Sequence, residues 1–187
     1  MTGVILAGGR SSRFGENKAF ATFQGVPLIE RVVSVMGALF QDLLVVTNTP
    51  EEYSSWNIPL ITDHQPYQGP LGAIATALEK TSKEGIIVVA CDMPMLVPEI
   101  LTHIMKQAKA SYPAVVPIHD GVREYLMAYY AKSLLPLMQQ SLQKGHYSLK
   151  EFCALLPRVA WVPIDGNSWL NVNTKKDLES LEEHYAR

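Results

Sequence analysis

Unbroken apolar runs separated by helix-period segments constrain this chain more than any other feature. TGVILAG (2–8), DLLVVTN (42–48), PLITD (59–63) and GIIVVACDM (85–93) are strand-length and rich in Val, Ile and Leu. A half-exposed strand alternates apolar with polar residues, whereas a continuous run indicates that both faces are covered. Between the runs, VPLIERVVSVMGALF (26–40) spaces Leu28, Val32, Val35, Met36 and Leu39 at helical intervals, with Pro27 suited to the first helical position. Leu71 to Lys80 and Pro98 to Ala110 read as further helices. The alternation predicts an α/β fold with a doubly wound, mostly parallel, Rossmann-like sheet.

Beyond AVVPI (114–118) the pattern changes. HDGVREYLMAYY reads as a turn at Asp120-Gly121 leading into a Tyr-rich strand, expected to run antiparallel in this C-terminal half. SLLPLMQQSLQKG and SLKEFCALL read as helices, RVAWVPI as a strand and TKKDLESLEEHYAR as a closing helix. Thr174 and Asp177 have the spacing of a capping box for that helix. With no repeat, low-complexity tract or linker, residues 1–187 are expected to form one domain.

A net charge of −2 argues against a protein that coats nucleic acid. No apolar run approaches the roughly 20 residues of a membrane span. The first strand starts almost at the N-terminus, so no signal peptide is expected. Cys91 and Cys153 are far apart and no CxxC occurs, which leaves a disulfide framework or zinc site without support and favours a reducing cytoplasm. The five histidines lack metal-ligand spacing.

In an open α/β sheet, ligands bind beyond the carboxyl ends of the strands. Those ends carry Gly8-Gly9, Thr47-Asn48, Asp63 and Asp92. The loop after the first strand fits neither the dinucleotide fingerprint nor the Walker P-loop: Arg10 follows two adjacent glycines, Gly15 precedes Glu16, and Lys18 precedes Ala19. What remains is a glycine turn with its own cations, Arg10, Arg13 and Lys18, against the single Glu16. Adjacent glycines let the backbone approach a ligand, and the cations suit phosphate oxygens.

LAGGRSSRFGENKAF resembles the N-terminal signature of the molybdenum cofactor guanylyltransferases, approximately LAGGxSxRMGxDK. ITDHQPYQGPLGAI, VVACDMPML and WLNVNTKKDLE continue the resemblance in the family's order over most of the chain. Phe14 replaces the usual methionine, Asn17 stands where an aspartate commonly precedes the lysine, and REYLMAYY lacks an expected proline. The resemblance implies a Mg²⁺-dependent transfer of GMP from GTP to the terminal phosphate of molybdopterin, with release of pyrophosphate and hand-off to molybdoenzymes. It implies a nucleotide-binding part at about 1–110 and an acceptor side at about 111–187. The cytidylyl branch commonly has LAAG where this chain has LAGG, which favours guanine. The alternatives are a cytidylyltransferase, a transferase for another small phosphorylated acceptor, and a non-catalytic nucleotide-binding module.

On this reading Arg13 and Lys18 neutralise the triphosphate, and Leu6, Ala7, Gly8 and Gly9 offer backbone groups to the nucleotide. Asp92, at a strand end, suits Mg²⁺, its plain alternative being a cap for the next helix. Asp63 could contact either the guanine edge or ribose hydroxyls. Gly69 and Gly72, in GPLG, mark either a structural turn or a helix N-terminus that serves as an anion or base platform. Asn171 and Asn173 alternate in NVN, so an extended backbone would project them the same way, toward molybdopterin by the resemblance. Asn173 could equally cap the last helix. Cys91, Trp161 and Trp169 read as packing residues.

Overall fold

The computed structural model describes residues 1–9, 14–54, 56–63, 69–108, 112–165 and 171–185. Strand β1 (Thr2–Leu6) leads through a loop and a short 3-10 helix (Lys18–Phe20) to a hairpin of β2 (Thr22–Phe23) and β3 (Val26–Pro27). Helix α1 (Leu28–Leu39), β4 (Leu43–Val46), a second 3-10 turn (Pro50–Tyr53), β5 (Leu60–Ile61), α2 (Gly69–Lys80), β6 (Gly85–Ala90) and α3 (Pro98–Gln107) follow. The second half contains β7 (Ala114–His119), β8 (Val122–Arg123), β9 (Met127–Ala131), α4 (Leu135–Gln143), α5 (Leu149–Leu155), β10 (Val159–Pro163) and α6 (Lys175–Tyr185).

One sheet runs in the order β10-β7-β9-β6-β1-β4-β5, with β8 paired to β7. β1 is parallel to β4 and β6, β4 to β5, and β7 to β10. β9 lies antiparallel between β6 and β7, as the Tyr-rich segment led one to expect. Because it reverses direction twice, β7 and β10 end on the same rim as β1, β4, β5 and β6.

The continuous apolar runs are explained by covering on both faces. On β6, Ile87 and Val89 point into a core shared with α1 and α3, while Ile86 and Val88 point into one shared with α2, α4 and α5. β1 divides Ile5 and Val4 in the same way. A smaller cluster of Phe14, Phe23, Leu28, Val172 and Leu181 ties the hairpin and α6 to the end of the first loop. The Phe14 ring thus fills the apolar anchor position. Pro27 ends β3 and sits one position before α1, at the N-cap, not in the first turn as the sequence pattern predicts. Among the described residues no helix is long and apolar enough to cross a membrane.

Gly85 marks a tight point in the sheet. A Cβ there would lie 2.5 Å from Cε2 and 2.7 Å from the hydroxyl of Tyr129, on the neighbouring strand. Gly85→Ala is expected to destabilise the fold by about 1–3 kcal/mol through overpacking, measured as a lower denaturation midpoint. Adding Tyr129→Leu to that variant should recover part of the loss. No recovery would mean that the ring is not the obstacle.

Candidate active site

The shared rim of parallel strand ends opens into a cavity of about 540 Å³. Leu6, Gly8, Gly9, Lys18, Asp63, Gly69 and Asp92 all line it, so residues scattered from the first strand to the sixth meet in one place. Arg13 lies outside the described residues, as does Trp169.

Asp92 follows β6 and is only 5% exposed. The Lys18 ammonium donates to its Oδ2, while Oδ1 is buried with no partner among the described residues. The Asp92 carbonyl accepts from the Val172 N–H at 2.8 Å, docking the NVN segment against the strand end. The capping alternative does not hold, since α3 has Val97 at its N-cap and no side-chain cap. Lys18 opens its 3-10 turn and also reaches Asn173 Oδ1 at 3.4 Å.

Gly8 sits at a close approach. A Cβ there would lie 3.1 Å from Asn48 Nδ2, which donates to the Gly8 carbonyl at 3.0 Å. Asn48 lines the cavity and its Oδ1 is a buried acceptor with no partner among the described residues. Its place at the end of β4 was the sequence signal for a role here, although residue type alone did not single it out. Ala7 contributes from behind: its carbonyl accepts from Thr47 Oγ1 and Tyr53 Oη, each at 3.3 Å.

Asp63, 7% exposed, accepts from Thr76 Oγ1 at 3.1 Å, which fixes one oxygen of its carboxylate. Gly69 begins α2 with φ +68°, a left-handed conformation that favours glycine, and the helix N-terminus then borders the cavity through Pro70 and Ala73. Gly72 does not share that position. It is buried within α2, because the helix starts at Gly69 and by the fourth residue has turned toward the core.

The two asparagines of NVN separate. Asn173 approaches Lys18, whereas Asn171 lines a different concavity with Asp177, Leu181 and Tyr185. The last helix is capped by Thr174 and Asp177. Asp177 N–H donates to Thr174 Oγ1 at 3.1 Å, and Asp177 Oδ2 accepts from the Thr174 N–H at 2.8 Å and the Asn173 N–H at 2.9 Å. Burial pushes the Asp177 carboxyl up, but these N–H bonds outweigh it and hold the group below its ordinary value. The capping box therefore leaves the Asn173 side chain for Lys18.

Cys91 lines the cavity beside Asp92, yet burial first and the Asp92 charge second push its thiol up to about 12. A thiol held protonated is no nucleophile at neutral pH, so the packing role stands. Glu124, just before β9, is a further buried carboxylate. Burial raises it, nearby His119 opposes the shift and Asp92 adds to it.

A carboxylate oxygen that is buried and orphaned is what a single-carboxylate Mg²⁺ site needs, since phosphates and water complete that ion's shell. Among the described residues no cluster of three or more His, Cys, Asp or Glu could hold a metal without such help. The residues present thus fit a magnesium ion that arrives with a triphosphate.

Comparison with known proteins places the chain among relatives of similar length. A molybdenum cofactor guanylyltransferase of Desulfosudis oleivorans is 34% identical over 97% of this chain and 94% of its own length. The crystal structure of molybdopterin-guanine dinucleotide biosynthesis protein A from Archaeoglobus fulgidus superposes with a TM-score of 0.86 at 28% identity, covering 100% of this chain and 99% of that one. Residues 3–159, which include the glycine turn, Lys18, Asp63 and Asp92, match the MobA-like NTP transferase domain, and the chain belongs to that family.

Proposed function

We propose that this protein transfers GMP from GTP to the terminal phosphate of molybdopterin and releases pyrophosphate. The observation that carries the reading is the single cavity uniting the glycine turn, Lys18, Asp63 and Asp92. The names of the two relatives support the choice of base and acceptor.

A phosphate oxygen of the acceptor attacks the α-phosphorus of GTP, forming one P–O bond as the bond to the β-phosphate bridging oxygen breaks. The nucleophile is already anionic, so no side chain has to remove a proton. The work is positioning and charge stabilisation. Gly8 and Gly9 let the backbone approach the phosphates, and the Lys18 ammonium moves from Asp92 toward the oxygens that gain charge. Arg13 adds a second cation in this reading. Asp92 would hold Mg²⁺, which when bound stabilises charge on the transferred and leaving phosphates. Asp63 and the Asn48 Oδ1 are acceptors suited to N–H and O–H donors of the base and ribose. Asn173 serves the acceptor side beside Lys18, and Asn171 faces a separate concavity. The product then passes to molybdoenzymes. We place the reaction in the cytoplasm, a compartment in keeping with two buried free cysteines.

With Mg²⁺ and molybdopterin, pyrophosphate release from GTP should exceed that from CTP by about 100-fold or more, because the buried acceptors Asn48 Oδ1 and the Asp63 carboxylate disfavour a base that lacks the matching donors. Equal rates would defeat the guanine assignment. Release with other phosphorylated acceptors but not molybdopterin would redirect the acceptor.

A further inference from the structure

Asn17 does not line the cavity, yet its amide connects two parts of the nucleotide cradle that the chain reaches separately. Its Oδ1 accepts from the Ala19 N–H at 3.2 Å and so caps the turn that begins with Lys18. Its Nδ2 donates to Tyr53 Oη at 3.1 Å and also to Glu52 Oε2. Tyr53 Oη donates onward to the Ala7 carbonyl, directly before the Gly8-Gly9 turn. Glu52 Oε2 also accepts from Thr49 Oγ1 at 3.1 Å, so the carboxylate that receives Asn17 is fixed to the segment after β4. The Phe20 ring, at the far end of the Lys18 turn, packs 5.0 Å from the Tyr53 ring.

We infer that Asn17 and Tyr53 are positioning residues, which set the distance between the Lys18 ammonium and the glycine turn before nucleotide arrives. This rests on the reading that Lys18 neutralises the triphosphate. The chemistry of the link is specific. An amide accepts from Ala19 while donating to Tyr53 and Glu52, whereas a carboxylate at position 17 would keep the cap, lose both donors and face Glu52 as a like charge. Tyr53 is 1% exposed, and burial pushes its hydroxyl up to about 12, so it remains a donor to Ala7 throughout the neutral range. Preorganisation of this kind matters because a lysine on a four-carbon stem otherwise samples many positions, few of which meet the phosphates.

The test is a pair of cycles on the full chain, read as GTP affinity by calorimetry and as kcat and KM for pyrophosphate release. Tyr53→Phe keeps the ring and deletes the link, and should lower kcat/KM for GTP by about fivefold to tenfold. In a Lys18→Ala background the same change should have almost no further effect, because nothing remains to position. Asn17→Asp should be at least as harmful, and Asn17→Asp with Glu52→Gln should recover most of the loss, since the new amide donates to the new carboxylate. Loss of thermal stability alone would not generate dependence on Lys18 or rescue by Glu52→Gln. Equal losses from Tyr53→Phe with and without Lys18, or no rescue at position 52, would overturn the inference while leaving the role of Lys18 intact. Lys18→Ala with the parent's GTP affinity and turnover would overturn both.

Discussion

Asp92→Asn should reduce GMP transfer by about 10³-fold while GTP affinity falls by no more than about tenfold. The asymmetry follows from the geometry. Asp92 is one group in a cavity of about 540 Å³, and the glycine turn, the α2 N-terminus, Asn48 and Asp63 remain to hold nucleotide. The amide matches the carboxylate in shape, so packing at the end of β6 is kept. Its charge is gone, however, and with it the proposed anchor for a divalent cation and the counter-charge of Lys18. Removing divalent metal from the parent with a chelator should abolish the same step and should do little further harm to Asp92→Asn. The variant also separates an enzyme from a nucleotide-binding module. A module predicts that binding is all there is to lose, and a variant with the parent's turnover would exclude metal-assisted transfer at this residue.

How far the sequence foretold the architecture depended on whether one position carried the information. β1 and β6 were legible because burial on both faces forces a continuous apolar run, and Asp92 was legible because polar residues at parallel strand ends face the ligand side. The antiparallel β9 announced itself through the Asp120-Gly121 turn. The hairpin of β2 and β3 did not, because two-residue strands show no periodicity and Gly25 (φ 76°), the glycine of its turn, follows Gln24 (φ 52°), a residue with no turn preference to strengthen the signal. Pro27 fits a first helical turn and an N-cap almost equally well on sequence alone. Asn173 was open between cap and site because the rival capping acceptors, Thr174 Oγ1 and Asp177 Oδ2, decide the matter through contacts three residues apart. The bracket of Asn17, Glu52 and Tyr53 was not legible: Asn17 stood out only as a departure from the usual aspartate, and its partners lie 35 and 36 residues away in the chain and read as ordinary polar and packing residues.

Lys18→Met should lower kcat for transfer by about 10²-fold and, unlike Asp92→Asn, should raise KM for GTP in parallel. In the proposed reaction the ammonium meets phosphate both on binding and as charge moves to the leaving group, so its loss should be felt in both states. Lys18→Arg should not restore activity. The lysine head is confined between Asp92 and Asn173 Oδ1 with only 18% of its side chain exposed, and a planar guanidinium needs more room and a different angle. The pairing with Asp92 also has a consequence for the free protein. An ammonium on Oδ2 competes with a cation for the same carboxylate, and it spares the molecule an unpaired buried charge until substrate arrives. Lys18→Met removes that competitor, so the nucleotide-free variant should bind Mg²⁺ more tightly than the parent, by titration calorimetry, even as transfer collapses. A variant with weaker Mg²⁺ binding would show instead that Lys18 organises Asp92 for the metal, and that the two do not alternate on one carboxylate.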